Sequence, residues 1–97
     1  MLEDKVEESW AKDAKSKGAL FYKFTSPARR FVPDRIRLEY VPVQHRELVA
    51  RYIKFMEFKR PKGPVMPGQV RERERLMKQG YSVEIIDKTK EQYDAGK

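Results

Sequence analysis

The stretch Tyr52-Ile53-Lys54-Phe55-Met56-Glu57-Phe58-Lys59, closed by Arg60-Pro61, decides the fold. Ile53, Phe55, Glu57 and Lys59 fall on one side and Tyr52, Lys54, Met56 and Phe58 on the other, the two-residue period of a β-strand. Pro61 cannot donate to a ladder and ends it. A loop with Gly63 and Pro64 then leads to Pro67, a residue preset for the first turn of a helix. The spacing predicts a helix from Pro67 to Gln79, with Val70, Leu76 and Met77 facing inward and Gly80 as its cap. Tyr81 to Ile86, rich in Val and Ile, reads as the next strand.

Upstream, Ile36, Leu38 and Tyr40 alternate with Arg35, Arg37 and Glu39 in a strand that breaks at Pro42. A shorter strand precedes the basic loop Ala28-Arg29-Arg30: Leu20, Tyr22 and Phe24 alternate with Phe21 and Lys23, and it stops at Ser26-Pro27. From Leu2 to Lys17 few residues are β-branched, and Leu2, Val6, Trp10 and Ala14 recur every four positions on one face of a helix that Gly18 ends. Trp10 reads as core on that face rather than as a base-stacking platform. Val43 to Ala50 shows no clear period and reads as an irregular connection, which could extend the strands, form a dimer surface or touch a substrate. The predicted order is αβββαβ. It describes an α/β fold with a mixed central sheet flanked by helices, one unit over residues 1–88, and a flexible tail over 89–97.

Composition narrows the function. The chain has 97 residues, with 22 Lys+Arg against 15 Asp+Glu and a formal charge of +7. A chain this short buries only about two-thirds of the surface its unfolded form exposes, so a second copy would help it. A hydrophobic content of 39 % with 11 % aromatics still argues against disorder. The absence of Cys excludes a disulfide scaffold and any thiolate metal site. The longest uncharged stretch, Gly63 to Val70, holds two prolines and two glycines and falls far short of the roughly 18 apolar residues of a membrane span. Met1-Leu2-Glu3-Asp4-Lys5 lacks the apolar core of a signal peptide, which predicts a cytoplasmic protein. The positive excess points to nucleic acid as partner.

Several acids do not suit their surroundings. Glu3 and Glu7 fall inside or at the edge of the first helix's apolar stripe; Glu3 could answer the helix dipole, a role less open to Glu7 deeper in. Asp34 shares the parity of Ile36 and Leu38 and so begins a face expected to be buried, although Pro-Asp is also a common turn pair. Glu57 and Lys59 project from one strand face about 7 Å apart, either as a simple ion pair or as working groups. Carboxylates that converge at a sheet edge repel unless a cation lies between them. A hard divalent ion takes such oxygens together with a substrate phosphate, and a neighbouring lysine can hold the attacking water or offset developing charge. These are groups suited to cutting a phosphodiester.

Pro33-Asp34 followed by Glu57-Phe58-Lys59 in this order of elements resembles the PD-(D/E)xK nuclease core. The fuller set is Glu3, Val6-Glu7, Lys23-Phe24-Thr25-Ser26-Pro27, Arg29-Arg30, Val32-Pro33-Asp34-Arg35, Glu57-Phe58-Lys59-Arg60-Pro61, Gln69, and Leu76 to Gly80 before a Val/Ile strand. It resembles the VRR-NUC family over roughly residues 3–88. The resemblance implies a single PD-(D/E)xK core in which Asp34, Glu57, Glu7 and the backbone carbonyl of Phe58 hold Mg²⁺, with Mn²⁺ as substitute. It makes Lys59 the catalytic lysine, supported by Gln69. Phe31 stands where the family usually has a glycine.

Lys23, Ser26, Arg29, Arg30, Arg35, Arg60 and Lys62 are expected to grip DNA. Arg71, Arg73 and Arg75, alternating with Glu72 and Glu74, read as a solvated helix face, and His45 as a surface residue. Small stand-alone members of the family, many of them phage-encoded, act as homodimers on branched DNA such as Holliday junctions, which sets the expectation here. The rival reading is a non-catalytic basic nucleic-acid-binding module. It would use the charge for phosphate contacts and have no use for Asp34 and Glu57.

Overall fold

The computed structural model describes residues 3–25 and 28–96, Glu3 by its backbone alone. Leu2 of the expected helix and Ser26 of the expected DNA grip lie outside the described residues. The elements are α1 (Glu3–Ser16), β1 (Leu20–Lys23), β2 (Arg35–Leu38), α2 (Val43–Tyr52), β3 (Phe55–Phe58), α3 (Pro67–Gln79), β4 (Val83–Ile86) and α4 (Lys90–Ala95). The α/β class is observed. The order αβββαβ is not, because α2 replaces the irregular connection and α4 follows the last strand. Among the described residues the strands pair two by two, not in the single mixed sheet expected: β1 antiparallel with β2, and β3 parallel with β4. Met1–Tyr40 and Val41–Lys97 form two compact units.

In the first unit, Gly18 takes the left-handed conformation (φ 73°) that ends α1, and Ala19 N–H returns to the Ala14 carbonyl at 2.9 Å before the chain enters β1. The helix packs on β1 and buries Ala14 completely. Trp10, expected in the core, is 59 % exposed, and Val6 is exposed too. The strand pair beneath α1 is only four residues long on each side, and there Arg35 and Arg37 meet Glu7 and Asp13 on either side of Trp10, so little apolar surface is left to cover its ring. In the β1–β2 register, Leu20 faces Leu38 and Tyr22 faces Ile36 on one side, while Phe21 faces Arg37 and Lys23 faces Arg35 on the other. The arginine side meets the helix. Arg37 Nη1 donates to Asp13 Oδ2 at 2.8 Å, and Arg35 Nε donates to Glu7 Oε1.

The second unit is built on the alternating stretch that forms β3 and on the helix and strand that follow it. Parallel strands cannot be joined by a tight turn, so α3 carries the chain from β3 back to the start of β4. Phe55 then lies beside Val83, Glu57 beside Ile85 and Phe58 beside Ile86. The limits of α3 agree with those read from the sequence, because its end signals are local. Pro67 opens it, and Gly80 closes it at φ 103° with its N–H shared by the carbonyls of Leu76 and Met77. Tyr81 N–H also reaches Leu76 O, and the Tyr81 ring meets Phe55 edge to face with centroids 5.8 Å apart.

The helix α2 escaped the sequence reading because an arginine sits on its inner face. Arg46, Val49 and Ala50 are its half-buried residues at helical spacing, and Arg46 Nε donates to the Val41 carbonyl at 2.9 Å. A period counted on apolar residues alone misses such a face. Tyr52 consequently ends α2 instead of beginning β3. Past β4, Thr89 accepts from Gln92 N–H while the Gln92 side chain accepts from Thr89 N–H, a reciprocal cap that starts α4. Among the described residues, no helix is long and apolar enough to cross a membrane.

Candidate functional site

The expected site residues of the second unit gather on β3 and the first turns of α3. Glu57 and Lys59 lie two positions apart, one on β3 and one just beyond it, so both project to the same side. Lys59 N–H extends the ladder to Ile86 O at 2.9 Å, which holds its backbone in register with β4. Its ammonium stands 3.4 Å from Glu57 Oε2 and donates to Gln69 Oε1 at 2.8 Å. Both charged side chains are largely shielded, 15 % exposed for Lys59 and 19 % for Glu57. Glu57 and Gln69 line an open hollow of about 410 Å³ together with Arg73, Leu76 and Val83.

Arg73 corrects the sequence reading of α3. Its alternation with Glu72 and Glu74 places it with Arg71 and Arg75 on a solvated face, but its guanidinium lies 3.6 Å from Glu57 Oε2 with the side chain only 21 % exposed. Gln69, Arg73 and Leu76 follow the i, i+4, i+7 spacing of one helix face, a signal available in the sequence. Charge obscured it. The apolar stem of Arg73 occupies the inner face while its head reaches the carboxylate. Met77, predicted to face inward, is exposed instead. Despite two cations nearby, Glu57 Oε2 is a buried oxygen that accepts no hydrogen bond, and Arg73 Nε is a buried donor without a partner. Arg71 and Arg75 are exposed, as is His45 on α2.

In the first unit, Glu7 and Asp34 line one open hollow of about 420 Å³ with Lys23, Phe24, Thr25, Val32 and Arg35. Asp34 stands just before β2, where its carbonyl accepts from Phe24 N–H at 2.7 Å, so the strand pair fixes its backbone. Its side chain is exposed, not buried as its parity with Ile36 and Leu38 predicts. Glu7 has a partner that explains a carboxylate on α1: the Arg35 guanidinium, which also lies over the Phe21 ring at 5.7 Å. Further along, Arg37 and then Lys17 hold the Asp13 carboxyl below its usual range by hydrogen bonding, and Asp13 and Glu39 hold the Arg37 guanidinium above its own.

Of the expected DNA contacts, Lys23 ends β1, Arg29 and Arg30 lie in the following loop, Arg35 opens β2, and Arg60 and Lys62 follow β3; all six are exposed. The Phe58 side chain at the end of β3 is also exposed. Among the described residues, no group of three or more His, Asp or Glu side chains stands within reach of one metal ion. The donor types nonetheless suit a hard cation, since Glu57 Oε2, which accepts no hydrogen bond, is the kind of oxygen such an ion takes.

The fold and these clusters define a basic α/β protein whose parallel βαβ unit carries an acid–lysine pair at the end of its first strand. No protein-family model matches the chain, and no solved structure matches it. A protein of Acyrthosiphon pisum secondary endosymbiont phage 1, named "Putative nuclease p44", is 34 % identical to it over 85 residues, which cover 88 % of this chain and 82 % of the phage protein. The chain belongs to the family of that phage protein.

Proposed function

We propose that this protein is a metal-dependent nuclease that hydrolyses phosphodiester bonds in DNA. The observation that carries the reading is the arrangement at the end of β3: Glu57 beside Lys59 at 3.4 Å, with Lys59 held by Gln69 and one Glu57 oxygen left without a hydrogen bond. The name of the phage relative agrees with it. Glu57 with the Phe58 carbonyl in the second unit, and Asp34 with Glu7 in the first, are the oxygen donors we assign to Mg²⁺ or Mn²⁺, which when bound would make water a nucleophile near neutral pH. Lys59 positions that water and offsets charge gathering on the phosphoryl oxygens, and Gln69 fixes the lysine by accepting its hydrogen bond. Lys23, Arg29, Arg30, Arg35, Arg60 and Lys62 neutralise phosphates.

The finer reading is a structure-selective endonuclease of the VRR-NUC type, with the PD-(D/E)xK chemistry, acting on branched DNA such as Holliday junctions. It works as a homodimer in a bacterial cytoplasm. Exposed Tyr52 and Phe58 are apolar surface that a second copy would cover.

The test is cleavage of end-labelled four-way junction, flap, duplex and single-stranded DNA in Mg²⁺, Mn²⁺ or EDTA. Cutting that requires metal is expected, and Asp34→Asn or Glu57→Gln should lower it at least about a hundredfold while DNA binding survives. Tight, salt-sensitive binding with no cutting in either metal would instead leave a non-catalytic nucleic-acid-binding module. Light scattering of the free protein reads the dimer.

A further inference from the structure

Among the described residues, only Phe31 and Lys62 adopt positive φ without being glycine, at 65° and 59°. A bulky side chain in the left-handed region is strained, and strain of this kind persists where function holds it in place. Both residues stand three positions from a candidate site residue, Phe31 before Asp34 and Lys62 after Lys59. Phe31 is the stranger of the two. Its ring is 98 % exposed, the barest of the large hydrophobic side chains in the described structure. Packing therefore gives no reason for an aromatic here, and the backbone would be easier with glycine.

The surroundings supply a reason. Arg29 and Arg30 are exposed immediately before the ring, and Val32 and Asp34 immediately after it line the hollow shared with Glu7 and Lys23. A bare aromatic face beside guanidinium groups is the equipment by which proteins hold an unpaired base: the ring stacks on it and the cations take the flanking phosphates. Bases inside an intact duplex are already stacked on their neighbours and offer the ring no face unless a step is opened. We propose that Phe31 stacks on an unpaired base of the substrate, with Arg29 and Arg30 on the adjoining phosphates. The site thereby selects DNA in which a nucleotide beside the cut already lies outside the stack. The proposal rests on the nuclease reading and adds a specificity-determining residue to it.

The test uses the full chain in EDTA, so that nothing is cut, and two probes that differ only in whether a fluorescent adenine analogue is paired or unpaired in an otherwise duplex DNA. Wild-type protein should bind the unpaired probe more tightly and change its fluorescence as the base stacks. Phe31→Trp should keep both effects. Phe31→Leu, which retains the strain and the apolar bulk without a ring, and Phe31→Gly, which relieves the strain, should each lose about five- to 150-fold on the unpaired probe and less than about twofold on the paired one. A raised melting temperature for Phe31→Gly would show that its loss is not unfolding.

Equal binding of the unpaired probe by wild type and Phe31→Gly overturns the proposal, as does an equal loss on both probes. The nuclease reading survives either result if wild type still cuts DNA in Mg²⁺. A wild type that neither binds nor cuts any probe removes both.

Discussion

At the scale of single residues, carboxylates and cations are matched in pairs that the chain cannot announce locally. Asp13 shows the consequence most directly. Its carboxyl is held below the ordinary aspartate range by hydrogen bonds from Arg37 and then Lys17. A group whose folded pKa is depressed contributes stability that is fully present above its unfolded value, about 3.9, and is lost as pH falls through the lower folded value. Asp13→Asn should therefore melt below wild type at pH 7. The gap should begin to narrow as the pH falls below about 4, where the unfolded carboxyl takes up its proton, and close only once the pH lies under the lowered folded value. A constant gap across that range, read by circular dichroism melts, would mean that the Arg37 pair contributes nothing to stability.

The same scale separates what was legible in the candidate site from what was not. Asp34, Glu57 and Lys59 are readable because charged residues are out of keeping with the strand parity they share, whereas Gln69 stands out only through the resemblance to the VRR-NUC family. Arg73 was missed because a charged residue flanked by charges looks solvated, whereas its head lies 3.6 Å from the carboxylate of Glu57. Glu7 was noticed as an anomaly. Its partner Arg35 lies 28 residues away and only folding reveals it.

At the scale of elements, the most exacting position is the junction of α3 with the approach to β4. Gly80 has φ 103°, and a Cβ there would stand 2.7 Å from the Val41 carbonyl oxygen and 2.8 Å from Arg46 Nε. Backbone strain and a clash with main chain act together. Gly80→Ala should cost at least about 2 kcal/mol in urea unfolding, more than an ordinary surface glycine would. A loss within about 0.5 kcal/mol would show that the loop before α2 moves freely aside.

Elements bounded by Pro, Gly or strict alternation are found where the sequence places them, α3 to the residue, although β3 begins at Phe55 instead of Tyr52 and β4 at Val83 instead of Tyr81. The one with an arginine on its inner face, α2, was not. The helix α4 carried a readable sign, Thr89 three residues before Gln92, but six residues are too few for periodicity to count.

At the scale of the molecule, the excess of positive charge is the dominant physical fact. If Lys23, Arg29, Arg30, Arg35, Arg60 and Lys62 all meet phosphates, the logarithm of the DNA binding constant should fall with the logarithm of salt concentration with a slope of about −5 to −6. Replacing any one of them by Gln should flatten that slope by about one. A slope near zero, measured by fluorescence anisotropy in EDTA, would remove DNA as the partner.

By itself the sequence determined the α/β class, the βαβ segment with its end signals, the basic character and the inventory of reactive side chains. All of these depend on residue type and on spacings of a few positions, where backbone sterics and the helical and strand periods act. The tertiary structure alone decided that the strands pair as two sheets, that α2 turns a half-buried arginine to its inner face, and that Arg35, Arg37 and Arg73 meet Glu7, Asp13 and Glu57. Those outcomes depend on which distant groups can reach each other once chain entropy has been overcome, and an ion pair has no period in the sequence.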